Sequence, residues 1–225
     1  MGERERPFRA TRIISLGGHC PVAHNLRRFF DFGEAFPFDW WITPFEGLLK
    51  FLTRPDVDWL YDPEKLELTP DNASVRHREL GILLHHEFPR EPSKPYPVKP
   101  GFLDAIARPK ARTTRLVEKL LALDVADESL VFIHERECPE PIEKLSHVLG
   151  ALYRNAEWRL VNLRHVASDY AVHGWNGDPG PWDRALADLL IQFERRDPKR
   201  YSPSRPAAEI RGGHPRLLGD RHSTT

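Results

Sequence analysis

Ile13-Ile14-Ser15-Leu16-Gly17-Gly18-His19-Cys20-Pro21 carries a short apolar run into two glycines and delivers a cysteine onto a predicted helix start. The run reads as a strand, and Pro21 fits a first helical turn because its fixed φ and missing N–H cost nothing there. Val22, Ala23 and Leu26 then supply the apolar stripe of a helix. Cys20 is expected to be the N-cap. A sulfur at that position lies at the positive end of the helix dipole, beside backbone N–H groups with no intrahelical partner, so its pKa is expected to fall. Gly17 and Gly18 permit a tight turn and close approach of a substrate, and the N–H groups near Gly18, His19 and Cys20 are candidate oxyanion donors.

Working outward, short apolar runs alternate with helical spacing, the pattern of strands joined by crossover helices. Strands are predicted at 11–16, 82–85, 129–134 and 158–163. Helices are predicted at 21–30, 44–52, 102–123, 141–153 and 181–195. The expected fold is α/β, a mainly parallel sheet flanked by helices, with the cysteine at a strand-to-helix turn. One domain over residues 1–196 is expected, followed by a disordered tail at 197–225 that is rich in proline and arginine and lacks periodic apolar positions. The proline-dense stretch from Pro89 to Pro100 reads as an extended loop.

Composition narrows the partners. The 225 residues hold 33 Lys plus Arg against 33 Asp plus Glu, a formal net charge of zero, so no global field draws nucleic acid or an anionic membrane. No apolar run approaches the roughly 20 residues of a membrane span, and the charged start lacks a signal-peptide core. Two cysteines, Cys20 and Cys138, are too few for a disulfide scaffold and fit a reducing compartment. A cytoplasmic protein without cofactor, acting on a peptide or an acylated small molecule, is the expectation. The number of subunits is open.

The chemistry-bearing positions each have a plain alternative. Cys20 is a nucleophile or a small buried hydrophobe. A metal centre needs at least three convergent ligands, and no second Cys-x-x-Cys or His-x-x-x-His supplies them. In Phe36-Pro37-Phe38-Asp39-Trp40-Trp41 the aromatic residues read as a hydrophobic plug, whereas Asp39 needs a partner among them. His85 and His86 are adjacent on a strand, so one of the two can face a pocket and form a Cys–His pair. His173 is a further candidate base. Arg112 and Arg115 are either solvated charges or ligands of an anion or of Asp39.

Ile14-Ser15-Leu16-Gly17 with Cys20, then Phe36-Pro37-Phe38-Asp39-Trp40, then His86 with Phe88, Arg112 with Arg115, and Val131-Phe132-Ile133 resemble an uncharacterised bacterial family of papain-like cysteine peptidases. Its pattern runs Ser-Leu-Gly-x-x-Cys, Pro-Phe-Asp-Trp, His-x-Phe, a basic helix and an apolar strand. The resemblance implies Cys20 as nucleophile, His86 as its histidine and Asp39 as an acidic partner, with Gly17, Gly18, His19, Trp40, Arg112 and Arg115 around the substrate. Where the family's strand leads into an arginine, His134 stands here. Papain-like folds pair a helix with an antiparallel barrel, while the alternation in this chain predicts a parallel sheet. The activity expected is that of a cysteine hydrolase or peptidase. An acyltransferase for a sugar or thioester uses the same first half-reaction, and a non-catalytic protein binding an anionic or carbohydrate ligand is the reading from another class.

Overall fold

In the computed structural model, residues 7–135, 142–163, 166 and 177–194 are described. Cys138, His173 and the predicted tail lie outside them. Strand β1 (Phe8–Ala10) runs through Thr11 into β2 (Arg12–Ser15), and β2 is followed by α1 (Cys20–Phe30). After a 3₁₀ turn at Pro37–Trp40 come α2 (Phe45–Thr53), the single turn α3 (Val57–Leu60), strands β3 (Leu66–Leu68), β4 (Val75–His77) and β5 (Leu83–Leu84), and the long α4 (Ala107–Leu121). The second half holds β6 (Ser129–Glu135), α5 (Ile142–Leu152), β7 (Glu157–Leu163), α6 (Pro179–Ala187) and β8 (Ile191–Phe193).

The parallel arrangement expected from the alternation is present. β2 pairs with β6 in register Arg12 to Leu130 through Ser15 to Ile133, and β6 pairs with β7 along its whole length, all parallel. β1 pairs in parallel with β8, and the Thr11 N–H donates to the Ser129 carbonyl at 2.7 Å, so the ladder continues across the β1–β2 junction. β6 is therefore central and, apart from Ser129, buried along its length, as a parallel strand covered on both faces requires.

Successive side chains of these strands feed two cores. Ile14, Leu130 and Phe132 point to the side of α4 and α5, where they meet Val117, Leu120, Leu145 and Leu149. Ile13, Val131 and Ile133 point to the other side, where Val22 and Leu26 of α1 and Trp182 and Leu186 of α6 cover them. The aromatic plug joins the first core, with Phe38, Trp41 and Phe51 in edge-to-face contacts 5.5–5.9 Å apart.

Three expectations are corrected. The strand predicted near 82–85 does not enter the parallel sheet; β3, β4 and β5 form a separate antiparallel meander, tied to the plug by the Ile42–Leu83 bridge. Residues 181–195 are not one helix, because Leu190 takes a left-handed φ of 50° after α6 and the chain then pairs as β8 with β1. Helix α1 begins at Cys20, with His19 as its extended N-cap at φ −146° and ψ 161°. Pro21 is therefore the second helical residue, and Cys20 is not the cap. Asp178 caps α6, its side chain accepting from Gly180 N–H at 2.9 Å.

Gly47 tests how α2 is held. A Cβ there would overlap the carbonyl oxygen of Leu80, a backbone atom fixed by the meander. Alanine gains roughly 1 kcal/mol of helix propensity over glycine, yet the clash outweighs it, and Gly47→Ala is expected to destabilise the protein by about 2 kcal/mol. Urea unfolding reads the effect; an unchanged or raised midpoint would show that α2 slides freely on the meander.

Candidate functional site

In open parallel sheets, ligands bind beyond the carboxyl ends of the strands. Here the end of β2 turns through Gly17 and Gly18, with φ of 83° and 101°, into α1. A Cβ on Gly18 would overlap the carbonyl oxygen of Glu135, and one on Gly17 would lie 2.9 Å from Thr43 Oγ1. The turn is thus pressed between the end of β6 and the segment after the plug. Both positive φ values and both close approaches demand glycine. The Gly17 N–H is already engaged by Ser15 Oγ at 3.2 Å, and the Val22 N–H bonds back to the His19 carbonyl at 3.2 Å.

Cys20 is 8% exposed. Burial pushes its thiol above the ordinary range and the nearby Asp39 carboxylate adds to the rise, while the backbone N–H of Cys20 itself pulls in the other direction. The expected fall in pKa is therefore reversed. The helix terminus is present, but desolvation outweighs it.

Asp39 is 2% exposed, and its partner is Arg27 of α1, not Arg112 or Arg115. Its carboxylate also accepts the Phe36 N–H at 2.7 Å, closing the 3₁₀ turn. Burial raises Asp39 to about 6, against the opposing pull of Arg27 and the Phe36 N–H. The Arg27 guanidinium lies 5.6 Å over the ring of half-buried Trp40. Arg27 thus bridges the carboxylate and the aromatic wall.

His86 packs edge-on to Trp40 at 5.8 Å, with His85 at 4.6 Å. It lies at the surface at the end of the meander. The protein crowded against its ring, followed by His85, Arg90 and Arg112, holds its imidazole down to about 4. His85 is tied to Ser74 Oγ at 2.6 Å through Nδ1 and its carbonyl accepts from Arg90. Arg112 pairs with the buried Glu87 at 2.6 Å, and Glu87 also accepts from Trp41 Nε1 at 3.0 Å. Arg115 is exposed on α4. The histidine pair and the basic helix therefore gather around Trp40, Trp41 and Glu87, while the cysteine turn meets the plug through Asp39.

At the end of β6, His134 is fully buried, 3.3 Å from Asn162 Oδ1 and edge-on to Phe45 at 5.5 Å. Glu135 is 1% exposed; one oxygen accepts from Val166 N–H at 3.2 Å and the other lies 3.8 Å from His19 Nε2. The role of Arg27 was missed in the sequence, where a basic residue late in a helix reads as a dipole complement. Glu135 carried a signal, since it ends a buried strand run.

A family model described as putative papain-like cysteine peptidase (DUF1796) matches residues 11–80. This is the family that the Ser-Leu-Gly-x-x-Cys and Pro-Phe-Asp-Trp motifs resemble. The matched span holds Cys20 and Asp39 and stops before His85, His86, Arg112 and Arg115. No curated protein and no solved structure matches the chain. Among the described residues, no three His, Cys, Asp or Glu side chains converge to hold a metal ion, and no helix is long and apolar enough to cross a membrane. A cavity of about 510 Å³ bordered by Phe8, Arg9, Trp158, Arg159 and Leu190 opens at the opposite, amino-terminal ends of the strands and includes none of these groups.

The charge state of Asp39 has a measurable consequence. Its folded pKa of about 6 lies above the unfolded 3.8, so the folded protein keeps a proton that the unfolded chain has released. The stabilising contribution is present below about pH 4 and fades as pH rises to about 6, a fall on the order of 2 kcal/mol. In Asp39→Asn that fall is expected to vanish. Urea titrations across this range compare the two slopes, and parallel curves would mean that Asp39 titrates like an ordinary carboxylate.

Proposed function

We propose that the chain is a cysteine-dependent acyl-transfer enzyme, acting as a hydrolase or peptidase in the first instance, with Cys20 as the nucleophile. One observation carries the reading: Cys20 opens α1 at the carboxyl ends of a parallel sheet, within the span that matches the cysteine peptidase family. Catalytic groups of such sheets gather at that edge. A chain built only to bury this cysteine has no need of two left-handed glycines to bring its backbone there.

Burial keeps the thiol protonated at rest, so attack on a carbonyl must coincide with loss of the proton to a base. The dipole of α1 and the backbone N–H groups at the turn favour the negative charge that then develops on sulfur and on the carbonyl oxygen. Asp39, fixed by Arg27, holds the plug against the turn. Trp40 forms a flat apolar wall, suited to a peptide or an acylated small molecule. His86, edge-on to Trp40, is neutral and is a candidate base. Hydrolysis and transfer share the first half-reaction, so the acceptor of the acyl group follows from what occupies the cleft after the first product leaves. The competing reading, a protein that binds an anionic ligand without turnover, is weakened because Arg112 is already paired with Glu87.

Acyl capture tests the proposal. Full-length protein mixed with p-nitrophenyl acetate is expected to release a burst of up to one p-nitrophenolate per chain and to carry an acetyl group on the Cys20 peptide by mass spectrometry. Cys20→Ser is expected to lower the acylation rate by about a thousandfold. A chain that turns over equally well with serine at 20, or never carries the acetyl group, rules out the nucleophile and leaves the binding reading.

A further inference from the structure

The geometry points to a second copy of this chain as the partner of the free edge of β7, paired antiparallel about Trp158 so that one sheet runs through both protomers. This stands apart from the nucleophile reading above. Among the described residues, β7 pairs with β6 alone and ends the sheet. The Glu157 N–H donates to the Glu128 carbonyl at 3.1 Å, so Glu157 and Arg159 direct their backbone groups to β6, and those of Trp158 and Leu160 point away from it. Among the described residues, these outward groups have no hydrogen-bond partner.

Sheet edges are usually blunted by short strands, proline, lysine or a bulge. The outer strand on the opposite side, β8, has three residues, and the meander strands have two or three. β7 has seven, holds neither proline nor lysine, and keeps an unbroken register with β6 from Glu157 to Leu163. Exposed apolar surface gathers beside it. Leu190, 49% exposed, borders one cavity with Glu157, Trp158 and Arg159. Val125, 38% exposed, follows Asp124, whose carboxylate accepts from the N–H groups of Asn155 and Ala156 just before β7. A single chain leaves both side chains in water.

Charge selects the occupant and the register. Glu157 and Arg159 are exposed, two residues apart on one face of β7, and among the described residues neither forms an ion pair; the Glu157 carboxylate meets only Ser129 Oγ, at 3.4 Å. Trp158 and Leu160 lie on the other face, packed against the core under α4 and α5. A strand carrying both signs suits its own kind better than a partner of one sign.

A two-fold axis at Trp158 sets Glu157 of each copy opposite Arg159 of the other, giving two cross-strand ion pairs on one face and a pair of tryptophans on the other. The Trp158 N–H and carbonyl of each copy then bond to their counterparts, as residues opposite one another do in a hydrogen-bonded antiparallel pair. An axis at Arg159 opposes two arginines. One at Leu160 sets Arg159 against Val161 and Glu157 against Leu163, with no charge matched. The edge is thus complementary to itself in the register about Trp158, and the carboxyl edges of the two halves of the sheet point in opposite directions.

Sedimentation equilibrium of the full chain provides the test. Wild-type protein is expected to approach twice the 26.0 kDa of one chain as its concentration rises. Arg159→Glu and, separately, Glu157→Arg set like charges opposite each other, and each is expected to raise the dimer dissociation constant about a hundredfold. Both side chains are exposed, so far-UV circular dichroism is expected to stay that of the wild type. The double variant reverses both signs together and is expected to return the constant to within about threefold of the wild-type value. Wild-type protein that remains a monomer at every concentration overturns the proposal. A dimer that survives both single reversals places the interface elsewhere and overturns it too. Single reversals that break the dimer without rescue by the double variant refute the pairing about Trp158.

Discussion

The contact between Gly18 and the backbone of Glu135 is the constraint on which the carboxyl edge of this protein depends. A single missing Cβ allows the β2–α1 turn to lie flat on the end of the central strand. With that contact in place, α1 starts where its first residue is covered by the sheet and the plug. Without it the turn would have to lift away, and Cys20, Asp39 and Glu135 would lose their common frame. The close-packed interior transmits such a displacement because it has little free volume to absorb it.

Electrostatics at this edge run against the usual picture of a cysteine at a helix start. The dipole and the local N–H groups favour a thiolate, but desolvation and the neighbouring Asp39 prevail. Asp39 in turn is raised by the same burial that makes it a firm partner for Arg27 and for the Phe36 N–H. The edge thus holds its charges as paired or protonated groups, and the acyl transfer proposed for it requires the thiol to lose its proton.

Much of the fold was legible because it rests on strong periodic signals. The apolar runs at Ile13–Leu16 and Leu130–Ile133 and the helical stripe through Leu116, Leu120 and Leu123 announce a parallel sheet with crossover helices, and this sheet is observed. The meander was not legible as such, because Leu66–Leu68, Val75–His77 and Leu83–Leu84 are two or three residues long and their pairing is settled by distant partners. The β8 segment was misread because Leu186, Leu189 and Leu190 continue a helical spacing, whereas the left-handed φ at Leu190 belongs to tertiary structure. At the edge itself, Cys20 and Asp39 stood out by their local sequence. Glu135 was marked only by its place at the end of a buried strand run, and Arg27 was not marked at all, since nothing local distinguishes a charged residue that will be buried against a partner from one left in water.

A sulfur kept protonated and largely covered is a poor target for peroxide, because the first rung of thiol oxidation needs an accessible thiolate. Under the function proposed above, the packing that delays attack until a proton acceptor engages would also spare the sulfur between turnovers. The same cover that makes Cys20 slow to react would thus act as its protection, with no separate repair partner required.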